Sequence, residues 1–351
     1  MNLLFSRQSM HLSQPIADVR ISACLDLQEW ERCLLEFSGS PLLSSRFLSA
    51  LATVERQPVF LRFYDGDECL GLLAGVVAPV GTGLLRRQDA CFISFTGAVY
   101  RSAVDENCRR ACISALLAYG KQMGWYFVDM LAYDHPHAVP SDILPWKHEI
   151  SEYFLDLQPS PEQLLLGTKP KVRQAYRKLL KSGARFELYE AEDRVSILQD
   201  LMSHTKSKRV GRGNTDYQYI GLPGVDFAAV ERCCRSGVGA VYLTFTDQDP
   251  CVATFVLRTG SRSIELLRGC SQGAYESGAN TFAALAVVFL MREQGCREIN
   301  TGGVAADPGG DGGQGLTFFK KSLGYQSRAC QGGRSAFLQG SLQRLLFQLI
   351  R

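Results

Sequence analysis

The chain has 351 residues, with 38 Lys and Arg against 35 Asp and Glu, and its formal net charge is +3. Hydrophobic residues make up 46% and charged residues 21%, which is typical of a globular, soluble protein. This length suits two domains of ordinary size, and the near-neutral charge argues against general coating of nucleic acid. No apolar run reaches the roughly 18 residues of a membrane span, and the N-terminal apolar stretch is too short for a signal peptide, so we expect a cytoplasmic protein.

The cysteine and histidine positions predict neither disulfides nor a metal site. Twelve cysteines are present without any Cys-x-x-Cys pair, and most are expected to be reduced and buried as small hydrophobes. Those in apolar surroundings include Cys91, Cys112, Cys251 and Cys270. His135 and His137 lie in a proline-containing loop with no second ligand pair nearby, so zinc binding is not expected.

In the first half of the chain, the sequence predicts a strand, two helices, three strands, a helix and further strands. The turn Asp65-Gly66-Asp67 between two β-rich apolar runs is a strong hairpin signal. The stretch 106–123 is amphipathic at helical spacing, and Gly124 ends it. The predicted strands are 19–23, 57–64, 68–78, 91–95, 126–132 and 152–157, and the predicted helices are 27–37, 44–54 and 106–123.

The second half follows a linker at 158–168 and repeats this order of elements. We therefore place a domain boundary near residue 160, with one domain at 1–160 and the other at 161–351. The predicted strands are 185–189, 240–246, 252–257, 263–269, 297–301 and 334–338, and the predicted helices are 168–183, 194–206, 226–234, 279–294 and 342–350. A glycine-rich loop from 302 to 315 leads into a further short helix, and such a loop is either functional or a flexible solvated segment.

A basic cluster is the main asymmetry of charge in the chain. Residues 168–212 hold twelve Lys and Arg against five Asp and Glu. Thr168 is a candidate helix cap, Pro170 suits a first turn, and Gly183 can end the helix. Arg173, Arg177 and Lys181 recur every four residues and share one face. This face is either a solvated cationic surface or a binding surface for a phosphate-bearing ligand.

A motif near the C-terminus carries a family resemblance. After a strand that ends in Gly302-Gly303, the chain reads Gly315-Leu316-x-x-Phe319-Lys320-x-x-Leu323-Gly324. This pattern resembles the C-terminal signature of the Fem family, which are aminoacyl-tRNA-dependent amino-acid transferases built from two acetyltransferase-like (GNAT) halves. It is equally similar to that of FemAB-like GNAT acyltransferases. The chain departs from the Fem pattern in having Asn300 in place of an acidic residue and Leu323 in place of an aromatic one.

The resemblance implies an α+β fold with two tandem GNAT domains, whose mixed sheets are flanked by helices. The repeated order of predicted elements agrees with that expectation. In such folds two parallel strands, here 263–269 and 297–301, splay apart and admit an extended acyl donor. Unpaired backbone N–H groups at the splay can then bind the donor carbonyl as its oxygen gains charge.

The candidate site residues are taken from this predicted arrangement. The predicted catalytic residues are Lys320, Glu265, Tyr275 and Asn280. The predicted donor- or substrate-binding residues are Lys171, Arg173, Arg177, Arg212, Arg268, Gly302, Gly303 and Phe319. The resemblance implies that Lys320 meets a donor phosphate or the tRNA 3′ end. Alternatives remain open for four of them: a surface charge for Lys320, a core residue for Phe319, a salt bridge to Arg262 or Arg268 for Glu265, and a helix cap for Asn280.

The donor is the least determined part of the prediction. The chain has no Walker loop and no Cys/His pair at a suggestive spacing, which leaves transfer to an amine as the best-supported reaction. The stretch 268–279 lacks the glycine spacing of an ordinary CoA pyrophosphate site. We therefore expect no resident cofactor, aminoacyl-tRNA as co-substrate, and an amine of a peptide or cell-wall precursor as acceptor. An N-acyltransferase dependent on acyl-CoA or an acyl-carrier protein, and a non-catalytic binding protein, are the alternatives.

Overall fold

The computed structural model describes residues 19–80, 87–135, 139, 143–211, 221–304 and 311–337. The elements of the first half are β1 (Val19–Ala23), α1 (Leu27–Glu36), a 3₁₀ turn (Pro41–Leu43), α2 (Ser45–Ala50), β2 (Gln57–Asp65), β3 (Glu68–Val80), β4 (Arg87–Ser94), β5 (Val99–Tyr100), α3 (Glu106–Gln122), β6 (Phe127–Met130) and β7 (Trp146–Asp156). The predicted hairpin is confirmed, because β2 and β3 pair from Asp65↔Glu68 onward and Gly66 adopts φ +55° in the turn.

The second half follows the predicted order, with several changes of boundary. Its elements are α4 (Pro161–Leu166), α5 (Pro170–Lys181), β8 (Arg185–Leu188), α6 (Arg194–Val210), α7 (Phe227–Ser236), β9 (Gly239–Phe245), β10 (Pro250–Thr259), β11 (Arg262–Cys270), α8 (Gln272–Ser277), α9 (Ala279–Glu293), β12 (Glu298–Gly303), α10 (Asp311–Ser322) and β13 (Gln326–Ala336). Helix α8 was not predicted, α10 takes up the end of the predicted glycine-rich loop, and β13 begins well before the predicted strand. The predicted helix 342–350 lies outside the described residues.

Two predicted helix caps are wrong. The cap of α5 is Lys169 and not Thr168, whose hydroxyl instead donates to the carbonyl oxygen of Leu165 at 2.8 Å. The cap of α9 is Gly278, which adopts φ +85° at the junction with α8. Asn280 therefore lies one residue inside α9, where its side chain is available for contacts with β11.

All described strands belong to one mixed sheet. Its order is β1-β2-β3-β4-β6-β13-β7-β12-β11-β10-β9-β8, and β5 pairs with β3 at one side. Only β4–β6 and β11–β12 are parallel pairs among the described strands. Each of these parallel pairs follows a three-stranded antiparallel meander in its own half, which confirms the predicted repetition of element order.

The two halves exchange their last strands. Strand β7 of the first half pairs with β12 of the second, and β13 of the second half pairs with β6 of the first. β7 and β13 also pair with each other from Gln326↔Phe154 to Arg334↔Trp146. The boundary proposed near residue 160 falls between β7 and α4 along the chain. Each half contributes a strand to the sheet of the other, so the division into two domains remains a prediction.

The apolar cores explain where the helices lie. The largest buried cluster joins the halves, because Trp30 and Phe47 of the first half pack in it with Leu198 and Phe255 of the second. A second cluster contains much of α9, including Leu285 and Val288. All twelve cysteines are free, and Cys251 is partly exposed rather than buried as predicted. No helix within the described ranges has the length and apolar character needed to cross a membrane.

Candidate active site

The predicted splay between two parallel strands is present in the second half. β11 and β12 pair only from Arg262↔Glu298 to Ile264↔Asn300, although β11 continues to Cys270 and β12 to Gly303. Beside this point β11 carries a bulge, because the register with β10 shifts between Phe255 and Val256 and passes over Leu266. The backbone groups of two neighbouring strands therefore face a gap, where an extended ligand can lie against them.

The corresponding position in the first half is closed. β4 and β6 pair from Phe92↔Val128 to Ser94↔Met130, and this last pair joins the final residue of β4 to the final residue of β6. The backbone N–H of Leu131 then donates to the carbonyl of Ser94 at 2.8 Å, so the two chains stay together. A Cβ on Gly97, just beyond, would lie 2.1 Å from the ring of His135. The second half thus carries the open splay.

A polar cluster lines the splay on the side of α9. The guanidinium of Arg268 forms an ion pair with Glu265 and contacts the side-chain oxygen of Asn280 at 3.3 Å. Glu265 and Arg268 are nearly buried, at 10% and 12% side-chain exposure. The structure thus confirms the alternative interpretation of Glu265 as a salt-bridge partner of Arg268. The ion pair engages one oxygen of this carboxylate, and the role of Glu265 as proton acceptor stays a prediction.

Tyr325 is a polar side chain at the same place that sequence reasoning missed. It precedes β13, is 4% exposed, and its hydroxyl has no hydrogen-bond partner within the described ranges. Burial raises the pKa of its phenol well above the ordinary value, and the charges of Glu265 and Arg268 act on it in opposite directions. The sequence offers only one signal for it, which is its position directly after the motif glycine Gly324.

Lys320 is a structural residue of the splay and not a surface charge. Its ammonium group is buried and donates to the carbonyl oxygens of Thr301, Gly302 and Gly303 at 2.7, 2.8 and 3.1 Å. An ammonium group has three N–H donors, and three carbonyls accept them here. This side chain therefore holds the end of β12, and its contact with a donor phosphate stays a prediction. Gly302 adopts φ +71° in this turn, which favours glycine.

A second buried cluster holds the end of β12 from the first half of the chain. The side-chain amide of Asn300 donates to Asp134 at 3.0 Å and to Glu152 at 2.9 Å, and Arg262 pairs with Asp134 at 2.8 Å. Asp134 has a positive φ of 52°, which is uncommon for a residue other than glycine. Burial and the nearby charge of Asp134 raise the pKa of Glu152 to about 7, while the Asn300 amide opposes that shift. No local sequence signal predicts this cluster.

Helix α5 presents basic side chains beside α9. Lys171 and Arg177 are exposed as predicted, whereas Arg173 is partly buried and donates to the backbone carbonyls of Leu166 and Thr168. Arg173 therefore holds the turn before α5 through one guanidinium nitrogen, and its role as a phosphate ligand stays a prediction. A Cβ on Gly278 would lie 3.6 Å from Ala175, so α5 packs against the start of α9 and next to the splay. Arg212 lies outside the described residues.

The remaining predicted residues lie around these clusters. Tyr275 of α8 is 37% exposed, with the ammonium of Lys208 3.6 Å from its ring centroid. Phe319 packs on the core that contains α9, which supports its interpretation as a core residue. Its neighbour Phe318 is the exposed aromatic of the motif, with the ammonium of Lys169 4.2 Å from its ring centroid. Gly303 is exposed, and a Cβ on it would lie 3.1 Å from the carbonyl of Ser151.

Comparison with known proteins gives matches of structure only. No protein-family model and no curated protein matches this sequence. The crystal structure of FemX aligns with a TM-score of 0.68 at 13% identity, over 94% of this chain and 99% of that chain. The structure of L-PGS from Bacillus licheniformis aligns with a TM-score of 0.53 at 15% identity, over 93% and 96% of the two chains. A tandem GNAT protein from the clavulanic acid biosynthesis pathway aligns with a TM-score of 0.50 at 11% identity, over 92% and 100%.

The fold is therefore that of the tandem GNAT proteins, with two acetyltransferase-like halves and a mixed sheet flanked by helices. FemX has a similar fold over nearly the whole length of both chains. Both findings confirm the resemblance that the motif from Gly315 to Gly324 indicates in the sequence.

Proposed function

We propose that the protein is an N-acyltransferase that forms an amide bond, with aminoacyl-tRNA as donor and an amine of a peptide-type or cell-wall-precursor molecule as acceptor. The observation that carries the proposal is the open splay of β11 and β12 after Ile264↔Asn300, lined by the Glu265–Arg268–Asn280 cluster. The equivalent position of the first half is closed by the continued pairing of Leu131 with Ser94. One donor site per chain, in the second half, is therefore proposed.

The chemistry requires positioning more than covalent catalysis. The amine nitrogen of the acceptor attacks the acyl carbon, and the bond from that carbon to the ribose oxygen of the donor breaks. The amine loses one proton, and the released ribose oxygen takes one up, so the reaction balances without an added reagent. In this proposal, backbone N–H groups at the splay bind the carbonyl oxygen while it carries negative charge.

Charge supports a polyanionic donor. Lys171 and Arg177 are exposed on α5, which packs at the start of α9 and therefore beside the mouth of the splay. Clustered cations near a binding cleft attract a phosphate backbone, with an affinity that falls as salt rises. The segment between β11 and α9 also differs from an ordinary CoA site. Such a site needs a glycine-rich loop before the helix, whereas here helix α8 occupies that segment.

Acyl-CoA is the second candidate donor. It is supported by the tandem GNAT protein of this fold whose solved structure is described as being without AcCoA. An acyl group on CoA would enter the same splay, and the basic face of α5 would then serve the acceptor. The two candidates differ in the size and charge of the donor, so binding measurements distinguish them.

The test is a titration of the protein with charged tRNA, deacylated tRNA and acetyl-CoA at two salt concentrations. The proposal expects preference for charged tRNA, with an affinity that drops steeply between the two salt concentrations. Stabilisation by acetyl-CoA alone would assign the donor to the second candidate. Absence of binding to every donor would contradict an acyltransferase.

A further inference from the structure

Two buried hydrogen-bond donors beside the splay have no acceptor in the described part of the chain. They are the hydroxyl of Tyr325 and the Nε–H of Arg268. The other nitrogens of Arg268 are in use, because one pairs with Glu265 and one contacts Asn280. Leaving a buried donor unpaired costs about 1–3 kcal/mol, so a ligand atom that accepts from both donors would recover this free energy.

Both donors are held in place by the surrounding structure. Tyr325 lies in the same buried cluster as Ile299 of β12 and Val256 of β10, so its ring is fixed on the side of the sheet covered by α9. Its backbone N–H donates to the carbonyl of Lys320 at 3.2 Å, which ties it to the helix that anchors the end of β12. The salt bridge to Glu265 fixes the guanidinium of Arg268 on the opposite strand of the splay.

We propose that the hydroxyl of Tyr325 and the Nε–H of Arg268 together bind the carbonyl oxygen of the acyl group in the splay and stabilise the negative charge that this oxygen gains. This inference rests on the proposed acyl transfer and deepens it, because it assigns side chains to a role otherwise given to backbone N–H groups. As the acceptor nitrogen attacks, the carbonyl π electrons move onto that oxygen. They return when the bond to the leaving oxygen breaks, and neither side chain gives up its proton.

The electrostatics of the site suit donors of this kind. Burial raises the pKa of the Tyr325 phenol, so it stays protonated and able to donate throughout the physiological range. The planar guanidinium of Arg268 presents its Nε–H in a fixed geometry. Donors that are already oriented and shielded from water stabilise a developing oxyanion more strongly than freely rotating ones.

Tyr325→Phe tests the proposal because it removes one oxygen atom and leaves the packed ring. The matched control is Tyr242→Phe on β9, since Tyr242 is an equally buried tyrosine of the same apolar cluster. Initial rates of transfer to hydroxylamine, a small amine nucleophile, are measured with charged tRNA and with acetyl-CoA, and the uncatalysed rate is subtracted. Melting temperatures of all three proteins are measured in parallel.

The expected result is a fall of about 100- to 1,000-fold in kcat for Tyr325→Phe, the usual effect of removing one such donor. KM should change little, and the melting temperature should not fall and should rise if anything, because the substitution removes a buried hydroxyl that has no partner in the described part of the chain. Arg268→Lys, which keeps the charge for Glu265 but lacks Nε–H, should give a comparable loss of kcat.

Two results would overturn the inference. One is a Tyr325→Phe protein that transfers as fast as wild type and the Tyr242→Phe control. The other is a loss of rate that parallels a lowered melting temperature, which would make the hydroxyl structural. If instead wild type transfers nothing from either donor, the proposed function itself fails, and the assignment of Tyr325 and Arg268 fails with it.

Discussion

The ammonium group of Lys320 donates a hydrogen bond of 2.8 Å to the carbonyl oxygen of Gly302, and this bond ties helix α10 to the end of strand β12. The same ammonium also binds the carbonyls on either side, at Thr301 and Gly303. On the other side of the strand, the amide of Asn300 is held by Asp134 and Glu152. The strand that borders the splay is therefore fixed from both halves of the chain.

Lys320→Met should destabilise the protein, because three backbone carbonyls lose their common donor while the apolar stem is retained. Unsatisfied backbone groups in such a site cost about 1–3 kcal/mol. We expect a loss of roughly 2 kcal/mol or more in the free energy of unfolding, measured by urea denaturation. Transfer activity should fall together with stability, since the end of β12 borders the donor site.

Lys321→Met is the matched control for this substitution. Lys321 is the next residue on α10 and is exposed, so its replacement should leave stability within about 0.5 kcal/mol of wild type. Equal stability of the Lys320→Met protein and this control would show that the three hydrogen bonds contribute nothing.

Glu152 couples stability to pH. Burial, followed by the charge of Asp134, raises its pKa from 4.5 to about 7. Between these two values the folded protein holds a proton that the unfolded chain releases. The contribution of this group to stability is therefore fully present below about pH 4.5 and is lost as pH rises to 7. Over that range, wild type should lose roughly 3 kcal/mol relative to Glu152→Gln, which cannot ionise.

Melting temperatures of wild type and Glu152→Gln at several values between pH 5 and 8 give this difference. Glu149→Gln serves as the control, because Glu149 is an exposed residue of the same strand. If the melting temperature of wild type changed with pH in the same way as that of Glu152→Gln, Glu152 would have an ordinary pKa and the buried cluster would be solvated.

Asp129 holds the exchanged strand β13 in the sheet of the first half. Its carboxylate accepts from His148 at 2.7 Å and from Nε of Arg334 at 2.9 Å. Although burial acts to raise the pKa of Asp129, these two hydrogen bonds hold it below its ordinary value. The contribution of Asp129 to the free energy of unfolding is thus present at neutral pH and is lost as pH falls through the lowered pKa of Asp129.

Asp129→Asn should therefore lower the free energy of unfolding by roughly 2 kcal/mol at pH 7, because Arg334 keeps its charge without a carboxylate partner. The difference from wild type should shrink in acid, where the wild-type carboxyl becomes protonated. Urea denaturation at pH 7 and at about pH 2, far below the ordinary carboxyl range, measures both effects, and a difference that is equal at the two pH values would contradict the assignment.

The basic face of α5 is predicted to carry the salt dependence of donor binding. Replacing Lys171, Arg177 and Lys181 by glutamate should weaken binding of charged tRNA and reduce the slope of log affinity against log salt by about 2. The control triple, on exposed basic residues of the first half, is Arg46→Glu, Lys121→Glu and Lys147→Glu. Equal losses in both triples would indicate an effect of net charge and not of a binding surface.

The order of elements was predictable because its signals are local, whereas the splay followed from the family resemblance. The Asp65-Gly66-Asp67 turn, the period of α9 and the strand that ends in Gly302 are each readable within about 20 residues. Basic helix α5 was predicted for the same reason. Its cap was not, because Thr168 turns its hydroxyl to a carbonyl behind it.

The contacts that define the site are non-local, and this is why they were missed. Asp134, Glu152 and Asn300 meet only because β7 leaves its own half and pairs with β12. Tyr325 reaches the cluster around Arg268 through the same exchange of strands, since it begins the segment that continues as β13. The burial of Lys320 could not be predicted either. Lys320 and the exposed Lys321 are neighbouring lysines of one helix, and nothing in the sequence distinguishes them.

The measurement that tests the account most directly is amide formation by wild type with a panel of donors. Charged tRNA, acetyl-CoA and buffer alone are each mixed with the protein and hydroxylamine, and the acyl hydroxamate is quantified by mass spectrometry. The account predicts product above the uncatalysed rate from charged tRNA and none above it from acetyl-CoA. Product at the uncatalysed rate from both donors would contradict acyl transfer at the splay of β11 and β12.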